Sequence, residues 1–577
     1  MQNRHQDPPR PGHQDVTLRV PPRQWLMGDA ATTVRCRAVF DLGAWRVFAG
    51  DDLAVWPLVT TRGEEAGCLI GTPIDLARTA FVDGPLRLPS GIELEHAGDA
   101  ERQILQWLAS FAGVFVVVVR LCRSWTLYLS AANSCVYDTQ TGRIGTTAAA
   151  FLPHSDYDAR LDRALIRTMA VAGPGWLPAG LTGHSGVHRL LPNHALDLAS
   201  LRPRRVWHGA TRTGTPPEIL VESIAEIATR TITAAARSHR LTLALSAGRD
   251  SRAVLALTAS LGLRPETFTV AHAGAGLDVT VGRELSQALG LRHTPLAPVM
   301  ADAAGQELWM RRNGHAVGGI NRILHPTLHV FDKSCAVLAG SFGEIGRGYY
   351  WNGLTDIHAR LSAKGLLDRF DLPRDDRVLS SLDHWLNDVA STDALQVLDL
   401  AYLEHRLGAW AAPQQAAEHE LPALRDVEER VGHERDRLDG RMHLKLIHAA
   451  GLHGVDAGIV PDVRAVAATI AKAEGVRVRG RADLEHEDHL VLGAVERAHA
   501  AVGLVPDADV LQLGEDAFTS RYELTHVTPV HADEGNRAIP AGCSGMTERE
   551  REEGHEGLPA HLAGGEGELP VPGCAEA

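Results

Sequence analysis

The sequence predicts a two-part α/β protein, a layered β-rich part followed by a parallel sheet flanked by helices. Between about 16 and 210, strand-like runs such as Arg46-Val-Phe-Ala49, Val114-Phe-Val-Val-Val-Val-Arg120 and Trp125-Thr-Leu-Tyr-Leu-Ser130 are broken by Gly, Asp and Asn. From Leu241 onward, apolar runs alternate with helical patterns. Leu241-Thr-Leu-Ala-Leu245 precedes a helix that runs through Leu255 to Leu261; Thr267-Phe-Thr-Val-Ala271 precedes a helix capped at Asp278 and ending near Gly290. This order argues a parallel sheet with helices on both faces, whose ligands sit at the carboxyl ends of the strands. A length of 577 residues, with 45% hydrophobic and 22% charged content, suffices for two or three globular domains.

Taken in order, residues 1–15 are polar and Pro-rich and are expected to form a disordered arm. Residues 16–210 form the layered β-rich domain. Pro216 and Pro217 then open an amphipathic helix, with proline well placed in its first turn. The parallel-sheet domain spans 211–480; it includes the buried strand Ala336-Val-Leu-Ala339 and a largely helical stretch over 355–475. Residues 481–577 turn acidic and rich in Gly and Pro, which reads as a largely disordered tail.

Composition excludes several classes. A net charge of −14 argues against a nucleic-acid partner. No run of eighteen apolar residues is present to span a membrane, and the start lacks the apolar core of a signal peptide, so a cytoplasmic protein is expected. The seven cysteines are scattered without a C-x-x-C pair, which signals neither a zinc ribbon nor a dithiol site. His486 and His489 share a helix face but lack a third ligand at a recognisable spacing, and read as a solvated surface. Only four lysines occur, Lys333, Lys364, Lys445 and Lys472, so any catalytic lysine comes from this short set.

The richest segment is Leu241-Thr-Leu-Ala-Leu-Ser-Ala-Gly-Arg-Asp-Ser-Arg252. A strand, a loop of small residues and a helix N-terminus in succession make an anion site, because unpaired backbone N–H groups and the helix dipole both face the loop. The wording is not that of a G-x-x-x-x-G-K-[ST] phosphate loop. Ser246-Ala-Gly-Arg-Asp-Ser251 instead resembles the S-G-G-x-D-S pyrophosphate loop of ATP pyrophosphatases, with Ala247 at the second position.

Further segments extend the resemblance. Phe268-Thr-Val270 is similar to the strand that approaches adenine, and Gly340–Tyr349 to the second loop, G-x-G-A-D-E-x-x-x-G-Y. Tyr402-Leu-Glu-His-Arg406 with Trp410 resembles the helix closing the synthetase core, and Gly180–Asn193 the hinge into it. In this order, over roughly 100–450, the chain resembles the asparagine synthetase type of amide ligase. The resemblance implies an N-terminal Ntn-hydrolase-like, glutaminase-type domain over 16–210. It also implies a C-terminal ATP-pyrophosphatase domain of the adenine nucleotide α-hydrolase type over 211–480.

It implies as well that a carboxylate attacks the α-phosphorus of ATP, and that an amine then displaces AMP from the acyl-adenylate. Ser246, Gly248 and Ser251 would hold pyrophosphate, with Val270 and Gly340 completing the nucleotide site. Asp250 and Glu344 would hold Mg²⁺; Asp250 has the alternative reading of a helix N-cap. A cation for the transition state would come from Lys445, or from Lys472, each of which also reads as a surface lysine. Arg347 would line the acceptor pocket or pair with a nearby acid.

Two departures narrow the activity. Glutamine-hydrolysing members carry a nucleophilic cysteine directly after the initiator Met; here Gln2 stands there and the first cysteine is Cys36, so glutaminase activity is expected to be absent. The second loop is one residue short, and Gly343-Glu344 replaces the Asp-Glu pair. The substrates are then a small-molecule or peptide carboxylate and an amine. The macrolactam cyclases of lasso peptides are similar in length, domain order and missing cysteine, which leaves room for a precursor-peptide partner; a homodimer is also left open. A non-catalytic nucleotide-binding scaffold is the rival from another class. A tRNA-modifying pyrophosphatase fits poorly with the acidic charge.

Overall fold

The computed structural model describes residues 17–35, 39–92, 94–95, 97–122, 124–207, 217–331, 334–340, 348–351, 354, 356, 358–389, 393–417 and 442–445. All lie within the first of the chain's two compact units, Met1–Val505. The arm and tail expected over 1–15 and 481–577 lie outside the described residues. The protein is mixed α/β, with one antiparallel sheet and one mainly antiparallel sheet, in which Val55–Val59 and Leu86–Arg87 pair in parallel, over its first 205 residues, and a parallel sheet beyond them.

The first antiparallel sheet runs Val187–Arg189, Val136–Asp138, Ile144–Gly145, Trp25–Asp29, Trp45–Ala49, Phe40–Asp41 in spatial order. The second is centred on Phe111–Leu121, which pairs with Glu65–Asp75 on one side and Ser124–Leu129 on the other. Strand alternation explains why the run Val114–Val119 is apolar without interruption. Val116 and Val118 point into the core between the sheets, against Trp25, Met27 and Val47. Val117 and Val119 point away, under the helix Ala97–Leu108 through Ile104 and Leu108. The outer face of the first sheet is covered by Phe151 and Tyr157 from two short helices, Ala148–Phe151 and His154–Arg160. The layers are therefore helix, sheet, sheet, helix. Strand-like reading of 16–210 missed these helices, because their apolar residues are few and spaced for one buried stripe.

The third sheet is wholly parallel, in the order His293–Leu296, Glu266–Val270, Arg240–Ala244, Cys335–Ala339, Met442–Lys445. Its central strands are buried on both faces: Ala336 and Leu338 face one core, Cys335 and Val337 the other. Helices Pro217–Ser238, Arg249–Ser260 and Gly276–Ala288 contribute Ile232, Val254 and Leu285 to the first face. The opposite core is closed by Leu328 and Phe331 of the 3₁₀ segment His325–Val330 and the residue after it, where a further helix was expected. The strand Met442–Lys445 also corrects the helical expectation for 355–475; its four residues carry no strand signal of their own, and pairing with Cys335–Ala339 decides their form. Helices Ala363–Arg369, Asp376–Asp388 and Ala394–Ala401, followed by a π-helical segment Tyr402–Ala411, do match that expectation. Among the described residues no helix is long and apolar enough to cross a membrane.

Candidate functional site

The order of the parallel sheet locates the site. From Arg240–Ala244 the chain first adds strands on one side, through Glu266–Val270 to His293–Leu296, and then returns to add Cys335–Ala339 on the other. The strand order reverses between Glu266–Val270 and Cys335–Ala339, and ligands of open α/β sheets bind at the carboxyl edge of such a reversal. Both loops singled out in the sequence leave from that edge. Ala244 is in register with Ala339, so Ser246 and Gly340 emerge side by side.

The loop Ser246–Gly248 leads directly into the helix Arg249–Ser260, whose N-cap is Gly248. Asp250 therefore lies inside the first turn and is not the cap. The loop is tied to itself through its hydroxyls. Gly248 N–H donates to Ser246 Oγ at 3.1 Å, Ser246 N–H donates to Ser251 Oγ at 3.1 Å, and the buried Ser251 hydroxyl donates back to the carbonyls of Ser246 and Gly248. These bonds hold the loop in one shape. The helix Arg249–Ser260 begins at the same edge of the sheet, and the N-terminal end of a helix favours an anion.

Gly340 is the closest approach between the two loops. A Cβ there would collide with Ser251 N and Asp250 C, and would stand 2.7 Å from Ser251 Cα. Only glycine lets the end of Cys335–Ala339 pack against the helix N-terminus. We expect Gly340→Ala to destabilise the fold by about 1–3 kcal/mol in urea unfolding, as overpacking against backbone does. A variant that unfolds as the parent does would show that the two loops need not touch.

Val270 ends its strand at the same carboxyl edge, half-buried beside the strand of the loop, which Thr269 Oγ1 reaches by donating to Leu245 O. Lys445 ends Met442–Lys445, in register with Ala339, so its backbone sits at this edge two strands from Val270's neighbour Arg240–Ala244. The structure thus brings Ser246, Gly248, Asp250, Ser251, Val270 and Gly340 to one edge of the sheet, with the Lys445 main chain on the same edge. Glu344 and Arg347 lie outside the described residues, as do Lys472, His486 and His489. Among the described residues no group of three or more His, Cys, Asp or Glu side chains converges as a metal site.

One residue of the site was misread from sequence. Asp278 was expected to cap its helix; the cap position is Ala275, and Asp278 sits in the first turn of Gly276–Ala288. Its Oδ1 accepts the Ala247 N–H at 2.8 Å, across from the neighbouring strand. The available signal was an acid one turn into the second helix of a β-α-β-α series, which places it at the same edge as the first loop.

Three cysteines of the β-rich part are described: Cys68 and Cys135 are buried, and Cys122 is half-buried with its Sγ donating to Glu95 O at 3.0 Å. Burial pushes the Cys68 and Cys135 thiols well above their ordinary range, which keeps them neutral. Cys36 lies outside the described residues. Neither a protein-family model nor any curated protein matches this chain.

Proposed function

We propose that the chain is an ATP-dependent, AMP-forming amide ligase of the asparagine synthetase type that lacks glutaminase activity. The observation that carries this reading is the contact of Gly340 with Asp250 and Ser251 at the reversal point of a parallel sheet. Gly340, the first residue of a segment similar to the second loop of that ligase family, meets the helix start that follows the first loop, some ninety residues away in sequence, and a nucleotide would lie at this edge. The helix–sheet–sheet–helix layering of the N-terminal part supports an Ntn-hydrolase-like domain, and the parallel sheet an ATP-pyrophosphatase domain. A cytoplasmic setting follows from the need for ATP.

In this reading the acyl carboxylate oxygen forms a bond to the α-phosphorus as the bond to the bridging oxygen of pyrophosphate breaks. The N–H groups of the first turn of Arg249–Ser260, with Ser246 and Ser251, receive the departing pyrophosphate. An amine then attacks the acyl carbon, AMP leaves with the bonding pair, and the amine's surplus proton passes to solvent or a base. Lys445 would stabilise charge at phosphorus. Asp250 fits a Mg²⁺ site in donor chemistry, with Glu344 as the second acid from the sequence, and the ion would neutralise phosphate charge when bound.

The test is pyrophosphate release from ATP with Mg²⁺, aspartate and ammonia, beside Asp250→Ala. Release that depends on aspartate and yields asparagine supports asparagine synthesis. Release independent of aspartate, yet lost in Asp250→Ala, keeps the ligase reading and directs it to peptide or other carboxylates. Asp250→Ala should lower the rate by at least about 100-fold, the scale seen when an electrostatic contact to a transition state is removed. Absence of both release and ATP binding would leave the scaffold without a nucleotide and end the proposal.

A further inference from the structure

The nucleotide loop is held by more than its own hydroxyls. Asp278 reaches it from a different helix, and its Oδ1 accepts the Ala247 N–H at 2.8 Å. Ala247 lies between Ser246 and Gly248, the two residues whose N–H groups are already taken by the hydroxyls of Ser251 and Ser246. With Asp278 as acceptor, all three consecutive N–H groups of the loop are satisfied by side chains of the protein. This arrangement is unusual for a phosphate loop, in which the loop amides themselves commonly turn towards the anion.

The acceptor is also a carboxylate. A neutral side chain such as asparagine could take the same hydrogen bond, and would not add a negative charge beside a polyanion. A fixed charge of the ligand's own sign weakens its binding, and a divalent cation bound with the ligand offsets that effect.

We propose that Asp278 is the positioning residue of the nucleotide loop, and that its charge makes the loop accept ATP only together with a divalent cation. This rests on the ligase reading of the site, and it assigns Asp278 no contact with the reacting atoms. It acts through Ala247.

The tether and the charge separate in two variants. Asp278→Asn keeps an acceptor oxygen and removes the charge; Asp278→Ala removes both. Hydrogen exchange of the peptide containing Ala247, measured without nucleotide, should accelerate at least about tenfold in Asp278→Ala and recover in Asp278→Asn. Calorimetric titration with ATP then reads the charge. Asp278→Asn should bind metal-free ATP, in the presence of a chelator, about tenfold more tightly than the parent. Asp278→Ala should bind Mg·ATP more weakly, and Asp278→Asn should restore that affinity.

Unchanged exchange in Asp278→Ala overturns the tether. Metal-free ATP bound no more tightly by Asp278→Asn than by the parent overturns the role of the charge. If the parent binds no ATP in either form while exchange at Ala247 still responds to Asp278→Ala, the ligase reading fails and the cation requirement falls with it, but the tether stands.

Discussion

Glu404→Ala is expected to destabilise the folded chain by about 3–5 kcal/mol, because it strands a buried guanidinium. Arg205, at the end of the strand Arg202–Arg205, has a side chain only 1% exposed, and the Glu404 side chain is fully buried. The two are paired through both guanidinium nitrogens, with Nη2 donating to Glu404 Oε2 at 3.1 Å and Nη1 to Oε1. Glu404 also accepts from Trp385 Nε1 at 2.7 Å and from Asn193 Nδ2 at 3.2 Å, so every partner loses an acceptor at once. Among the described residues Arg205 would keep only Asp388, through Nε at 2.9 Å, and that carboxylate is half-exposed. The His194 imidazole and the Arg205 guanidinium beside Asp388 hold its carboxyl well below the usual carboxylate range. Urea unfolding of the full chain measures the loss. Replacing both partners, as Arg205→Met with Glu404→Leu, should cost less than the single change, since no unpaired charge remains. A single variant as stable as the parent would show that water or another acid reaches Arg205. The same cluster ties the last strand of the β-rich part to the helix Asp376–Asp388 and the π-helical segment Tyr402–Ala411.

That cluster shows what sequence could not supply. Arg205 and Glu404 are separated by 199 residues, and neither stands in a pattern that marks it. The loop Ser246–Gly248 was legible because its signal is local: strand, small residues and helix follow one another within Leu241–Arg252. Its contact with Gly340 depends instead on strand order, which sets Ala244 beside Ala339. A glycine in a loop predicts only freedom of the backbone; that freedom is needed here because the neighbouring main chain leaves no room for a Cβ. Asp278 shows the converse. An acid near a helix start reads naturally as a cap, yet Ala275 takes that position and frees the carboxylate for Ala247. The apolar run at Val114–Val119 gave a strand correctly, and its two buried faces follow from layers on both sides of it. The fifth parallel strand had no local signal at all, since Met442, His443 and Leu444 favour no strand without a partner.

Lowering the pH from 7 to 5 is expected to destabilise the protein by about 4 kcal/mol through two buried histidines. His184 and His405 are both pushed down to about 3, first by burial. Around His184 the other contributions come from His315, Arg160 and Arg311; around His405 they come from Arg205 and His194. Geometry agrees with the neutral form. His405 Nδ1 accepts the Ala179 N–H at 3.1 Å, so a proton there would break that bond, and its buried Nε2 has no partner among the described residues. Both ring nitrogens of His184 are buried with no partner among the described residues, beside the Tyr157 ring at 4.1 Å. Each folded-state pKa lies below the unfolded value of about 6.5, so the unfolded chain takes up protons first. Stability is then fully present above about 6.5 and falls as the pH drops towards 3, by ~1.4 kcal/mol per pH unit for each group. Unfolding in urea at pH 7, 6 and 5 gives the slope. His184→Leu should remove about half of it, because a side chain that never titrates is the same in both states. If the slope between pH 6 and 5 is flat in the parent, one or both imidazoles must find an acid or water in the folded chain. If it is steep but unchanged in His184→Leu, the proton uptake belongs to other groups, with His405 the first to replace.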